Sequence, residues 1–131
     1  MNSSKITGMP TVGFAAFAGR RHYKIHDDDW RPLQIGGTDI PGYFWISLSD
    51  DEEGAWSSYW MKVAPGAQGP AHRHDTTELI VVVEGVFTDS DGVSFQPGDA
   101  LTYAAGSSHA SSSASGCVVL VVARTGSSLV D

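Results

Sequence analysis

Cysteine occurs once, at Cys117, so the chain can form no internal disulfide and carries no zinc ribbon of paired cysteines. A reduced, cytoplasmic setting is the expectation. Positive charge is also scarce: eight Lys and Arg stand against fifteen Asp and Glu, a formal net charge of -7. That balance argues against nucleic acid and against an anionic membrane as partners, because both are gripped by clustered Lys and Arg. No apolar run approaches the roughly 18 residues of a membrane span. The N-terminal run TVGFAAFAG is short and its arginines, Arg20 and Arg21, follow it, whereas a signal peptide carries its basic residues first. Helical periodicity is missing as well, since apolar residues do not recur at i, i+3, i+4 beyond a single turn.

What remains is a pattern of short β-type runs. Fifteen glycines punctuate segments rich in Val, Ile, Tyr, Phe and Trp, which predicts an all-β sandwich or barrel. The predicted strands are TVGFAAF, YKIHD, YFWISLS, SSYWMKV, ELIVVVEG, VFTD, VSFQ, ALTYA and CVVLVVAR. Turn signals separate them: PG at Pro41 and at Pro65, SDDEEG from Ser49, SDG from Ser90 and PGD from Pro97. At 131 residues, with no repeat and no linker composition, one domain spanning 1–131 is expected.

The segment HRHDTTE, His72 to Glu78, carries chemistry. Side chains two apart on a strand share a face, so His72 and His74 aim at one point while Arg73 turns away. Asp75 to Thr77 suffice for a tight turn, after which Glu78 opens the next strand. Glu78, Ile80 and Val82 have the same parity, which sets a carboxylate in an apolar interior. Such a charge is costly to bury unless a cation or metal pairs with it. The two histidines, the glutamate and the aliphatic strand therefore read as parts of one buried metal site.

Gly66 to Gly85, GAQGPAHRHDTTELIVVVEG, resembles the first motif of the cupin superfamily at every fixed position: glycine, HxH, glutamate and glycine. Gly98 to Ser113, GDALTYAAGSSHASSS, is similar to the second motif through Gly98, Gly106 and His109, with Ala104 where proline is usual and Ser113 where asparagine is frequent. Within the superfamily, residues 25–123 look like the ChrR-type cupin domain of anti-sigma factors and its stand-alone relatives. The resemblance implies a double-stranded β-helix, or jelly-roll barrel, with motifs at 66–85 and 98–113 and an N-terminal extension of about residues 1–24. It also implies one divalent metal ion per subunit, Fe, Zn, Mn, Ni or Co, held by His72, His74, Glu78 and His109. Small cupins commonly pair, so a homodimer is expected. The helical sigma-binding domain of ChrR, with its His/Cys zinc motif, has no counterpart in this sequence.

A metal with open positions implies a small-molecule enzyme of oxygenase type, acting on a carbonyl, enol or phenolic substrate, with Glu78 as a candidate catalytic base. The alternatives are a non-redox isomerase, lyase or cyclase, and a ChrR-like sensor or ligand-binding module without turnover. Tyr59, Met61, Gln68, Ile80, Val82 and Tyr103 are the candidate substrate pocket, with Trp45, Trp56 and Trp60 as further aromatics for its mouth. On SSYWMKV, the face bearing Tyr59 and Met61 is expected inward because the other face carries Lys62. His22 and His26, beside Asp27 to Asp29, read as an exposed edge rather than a second metal site. Cys117 reads as buried packing.

Overall fold

The computed structural model describes residues 18–26, 29–50, 56–124 and 127–130. The strands are β1 (Arg31–Ile35), β2 (Thr38–Asp50), β3 (Ser57–Val63), β4 (Ala67–Gln68), β5 (His72–His74), β6 (Glu78–Gly85), β7 (Phe87–Asp89), β8 (Ser94–Phe95), β9 (Ala100–Tyr103), β10 (Ser108–His109), β11 (Ser111–Ser113), β12 (Cys117–Ala123) and β13 (Ser127–Leu129). No helix forms among these residues, and none is long and apolar enough to cross a membrane.

The largest sheet has six strands in the order β9-β6-β12-β3-β2-β1, and every pairing in it is antiparallel. Two smaller sheets complete the structure, β10-β5-β13 and β4-β11-β7-β8. The alternation of apolar residues along β6 decides which face is inside: Glu78, Ile80 and Val82 are buried and the residues between them only partly so. On β3, Met61 and Val63 lie inward with Tyr59, as expected from the lysine on the other face. Ile80, Val82, Met61 and Val63 meet Ile40, Tyr43, Phe87, Cys117, Val119 and Val121 in one core, with Tyr59 packed against it. Phe87, which has no exposed surface, closes the core from the four-stranded sheet. Burying Tyr43 would leave its hydroxyl unmet, but it donates to the Ser111 carbonyl at 2.7 Å and so ties β2 to β11.

Three predicted features need correction or placement. YKIHD is not a strand, since residues 23–26 run without regular structure into a turn and Asp27 lies outside the described residues. His26 meets Glu84 of β6 at 3.0 Å, and Trp30 lies under the Lys62 ammonium of β3 at 4.5 Å. TVGFAAF also lies outside the described residues. Pro41 and Gly42 do not end a strand: both lie within β2, whose pairing with β1 is interrupted there, and Gly42 at φ 82° lets the strand bend without stopping. The short strands β4, β10, β11 and β13, together with β1, carry too few apolar residues for a periodic signal, whereas the strand read at His72 to His74 forms as β5.

Candidate metal centre

The two histidine motifs meet because the chain pairs β10 with β5, placing His109 directly opposite His72. β13 takes the other edge of β5, so the HxH strand is held on both sides. Two backbone bonds lock the turn before His109: His74 N–H donates to the Ser107 carbonyl at 2.9 Å and Gly106 N–H to the His74 carbonyl at 2.7 Å. The rings of His72, His74 and His109 then stand 4.6 to 5.0 Å apart, centre to centre. One nitrogen from each lies within 4.8 Å of the others.

Each ring turns its Nδ1 toward an acceptor and so leaves Nε2 for the centre. His72 Nδ1 is 3.2 Å from the Pro70 carbonyl, His74 Nδ1 is 3.4 Å from Glu78 Oε1, and His109 Nδ1 is 2.8 Å from Asp89 Oδ1. The Nε2 of His74 is buried and has no hydrogen-bond partner. A buried polar atom left in that state is expensive, and a cation among the three rings would satisfy it. The donor set fits as well, because neutral imidazoles are ligands of divalent transition ions. Burial, aided by the neighbouring His109 and His74, holds the His72 pKa below its usual value against the pull of the Pro70 carbonyl and Glu78. The ring is therefore kept in the neutral form that ligates.

Glu78 does not join the three-histidine donor group. β6 belongs to a different sheet from β5, and the turn at Asp75 to Thr77 brings the carboxylate alongside the outer nitrogen of His74 instead. Buried at 7 % exposure, it faces the same cavity as His72 and His109. That cavity has a volume of about 430 Å³. Its walls include Leu33, Ile35, Trp45, Tyr59, Met61 and Ile80, with Trp45 edge-on to Tyr59 at 5.6 Å.

The other predicted pocket residues are placed differently. Gln68 is exposed on β4, and Val82, on the same face of β6 as Ile80, is packed into the core. Tyr103 is not on the cavity wall but lies against the metal centre, stacked on His74 at 5.0 Å and tilted over His109 at 4.2 Å. Trp56 is 44 % exposed, and Trp60 lies on the outward face of β3. His22 and His26 are exposed and belong to no cluster of metal-ligating groups among the described residues. Cys117 is buried in the core. Asp89 was legible only as part of a predicted strand and turn; no spacing rule marks a carboxylate twenty residues before a histidine as its partner.

The match that decides the family spans residues 18–126, which fit the model of the ChrR cupin-like domain. The chain belongs to that family. No curated protein matches it in sequence. Among solved structures, this cupin is similar to an acetylacetone dioxygenase from Acinetobacter johnsonii, at 13% identity and a TM-score of 0.71, over 86% of this chain and 78% of the other. It is similar to the polyketide cyclase RemF from Streptomyces resistomycificus at 22% identity and a TM-score of 0.64, over 84% and 86% of the two chains. It is also similar to the anti-sigma factor ChrR of Rhodobacter sphaeroides, solved with SigE, at 23% identity and a TM-score of 0.62, over 76% of this chain and 50% of the other. At these identities the likeness establishes the cupin barrel and leaves chemistry to the residues.

Proposed function

We propose that this cupin is a metal-dependent enzyme of oxygenase type for small carbonyl, enol or phenolic compounds. One divalent ion per subunit, from among Fe, Zn, Mn, Ni and Co, would be held by His72, His74 and His109. The observation that carries the reading is the position of the cavity: His72, His109 and Glu78 line it, so the donor set opens onto a void sized for a small organic molecule. A purely structural ion is instead enclosed by its ligands. The ion, when bound, supplies Lewis acidity and, as iron, redox access to dioxygen. The chain supplies the rest. Leu33, Ile35, Met61 and Ile80 give the cavity an apolar wall, and Trp45 with Tyr59 offers flat faces to a planar, conjugated substrate. Glu78, buried at the cavity wall, is placed to accept a proton from an acidic C–H or O–H of the bound molecule.

Oxygen uptake tests this reading. Iron-loaded protein offered small β-dicarbonyls, enols or phenolic ketones should consume many equivalents of oxygen per subunit, and Glu78→Ala and His109→Ala variants that keep their fold should lose that rate. Conversion without oxygen consumption would replace the oxygenase by a non-redox isomerase, lyase or cyclase. Uptake of no more than one equivalent, with oxidation of the ligand histidines, would replace it by a sensor.

A further inference from the structure

Asp89 ends β7 and sits twenty residues from His109, on a different sheet. Its carboxylate is fully engaged. Oδ1 accepts from the Ser90 N–H at 2.7 Å and lies 2.8 Å from His109 Nδ1, while Oδ2 accepts from the Tyr103 hydroxyl at 2.6 Å. An ionised carboxylate only accepts hydrogen bonds, so the proton of the His109 ring resides on Nδ1 and the lone pair on Nε2. The Ser90 hydroxyl also accepts from the Ala110 N–H at 3.3 Å, which ties the turn after β7 to the backbone next to His109.

Tyr103 completes the arrangement. Its hydroxyl holds Asp89 while its ring lies on both His74 and His109. One side chain thus fixes the carboxylate and two of the three rings. His72 receives no such support, since its Nδ1 faces only the Pro70 carbonyl.

We propose that Asp89 is a positioning residue of the metal centre: it sets the tautomer and ring angle of His109, and Tyr103 clamps it in place. This rests on the three-histidine metal reading above. Carboxylates behind metal-bound histidines raise ligand basicity and fix orientation, and losing one typically costs 10 to 100-fold in metal affinity.

The test compares Asp89→Ala, Asp89→Asn and wild type by zinc competition against a chromophoric chelator, alongside nitrogen-15 NMR of the histidine rings in metal-free protein. Asp89→Ala should bind zinc about 10 to 100-fold more weakly and give a mixed His109 tautomer. Asp89→Asn keeps an acceptor oxygen for Nδ1–H and should restore most of the affinity and the single tautomer, which a general loss of packing would not allow. Wild-type affinity in Asp89→Ala, or a proton on Nε2 of His109 in the wild type, would overturn the role of Asp89 while leaving the metal site standing. Wild-type protein that takes up no zinc, with His109 protonated on Nδ1, would overturn the metal reading and the positioning role with it.

Discussion

Replacing His74 by Ala is expected to weaken metal binding by more than a hundredfold, beyond the 10 to 100-fold range for an outer-shell partner, because it removes a donor atom itself. His74 is the most deeply buried of the three histidines, at 1 % exposure, and the only one whose Nε2 is enclosed without a partner. Stability should report the same loss. An ion present at a thousandfold excess over its Kd stabilises the native state by about 4 kcal/mol, and a hundredfold weaker site at the same concentration retains only about 1.4 kcal/mol. For a chain of this size the difference corresponds to roughly 10 °C in Tm. Arg73→Ala is the matched control, since Arg73 lies between the two histidines on the opposite face of β5 and is exposed. Elemental analysis and melting curves with and without chelator provide the readings. Equal metal content in wild type and His74→Ala would remove the basis for a metal centre.

Gly85→Ala should be the most damaging single methyl group that can be added to the first motif. Gly85 closes β6 at φ 73°, a conformation that costs an ordinary residue about 1–2 kcal/mol. A Cβ there would also press on the Gly116 carbonyl oxygen and come within 2.8 Å of the Cys117 Cα. Both contacts are backbone, so no side chain can swing aside, and β6 would have to separate from β12 in the middle of the large sheet. Forcing extra volume into packed structure adds about 1–3 kcal/mol. The total, about 2–5 kcal/mol, is a large share of the 5–15 kcal/mol by which domains are typically stable. Gly66, at the other end of the motif, provides the contrast. It has a similar φ of 83°, but a Cβ would meet nothing within 4 Å. Gly66→Ala should therefore cost only the conformational part, about 1–2 kcal/mol. Denaturant unfolding of the two variants distinguishes the cases, and equal losses would mean that the close approach of Gly85 to β12 carries no weight.

Tyr59 illustrates where local reading succeeds. The lysine at position 62 forced its face of β3 outward, and Tyr59 and Met61 accordingly line the cavity. Gln68 is the contrast, because nearness to the histidines in sequence is not nearness in space. The two-residue strand β4 pairs with β11 and leaves that side chain exposed.

By itself the sequence determined the all-β class, the strands β3 and β6 to the residue, and the pair His72 and His74, since alternation along a strand and the HxH spacing are local properties of the chain, while His109 was marked only by the resemblance to the second cupin motif. Tertiary structure alone decided that the serine-rich stretch around His109 forms strands, because those residues gain their order by pairing with β5, β4 and β7 rather than from their own propensity. It also decided that Asp89 stands behind His109. That depends on how separate sheets are set against one another, and a carboxylate's partner across a sheet boundary leaves no mark in the order of residues.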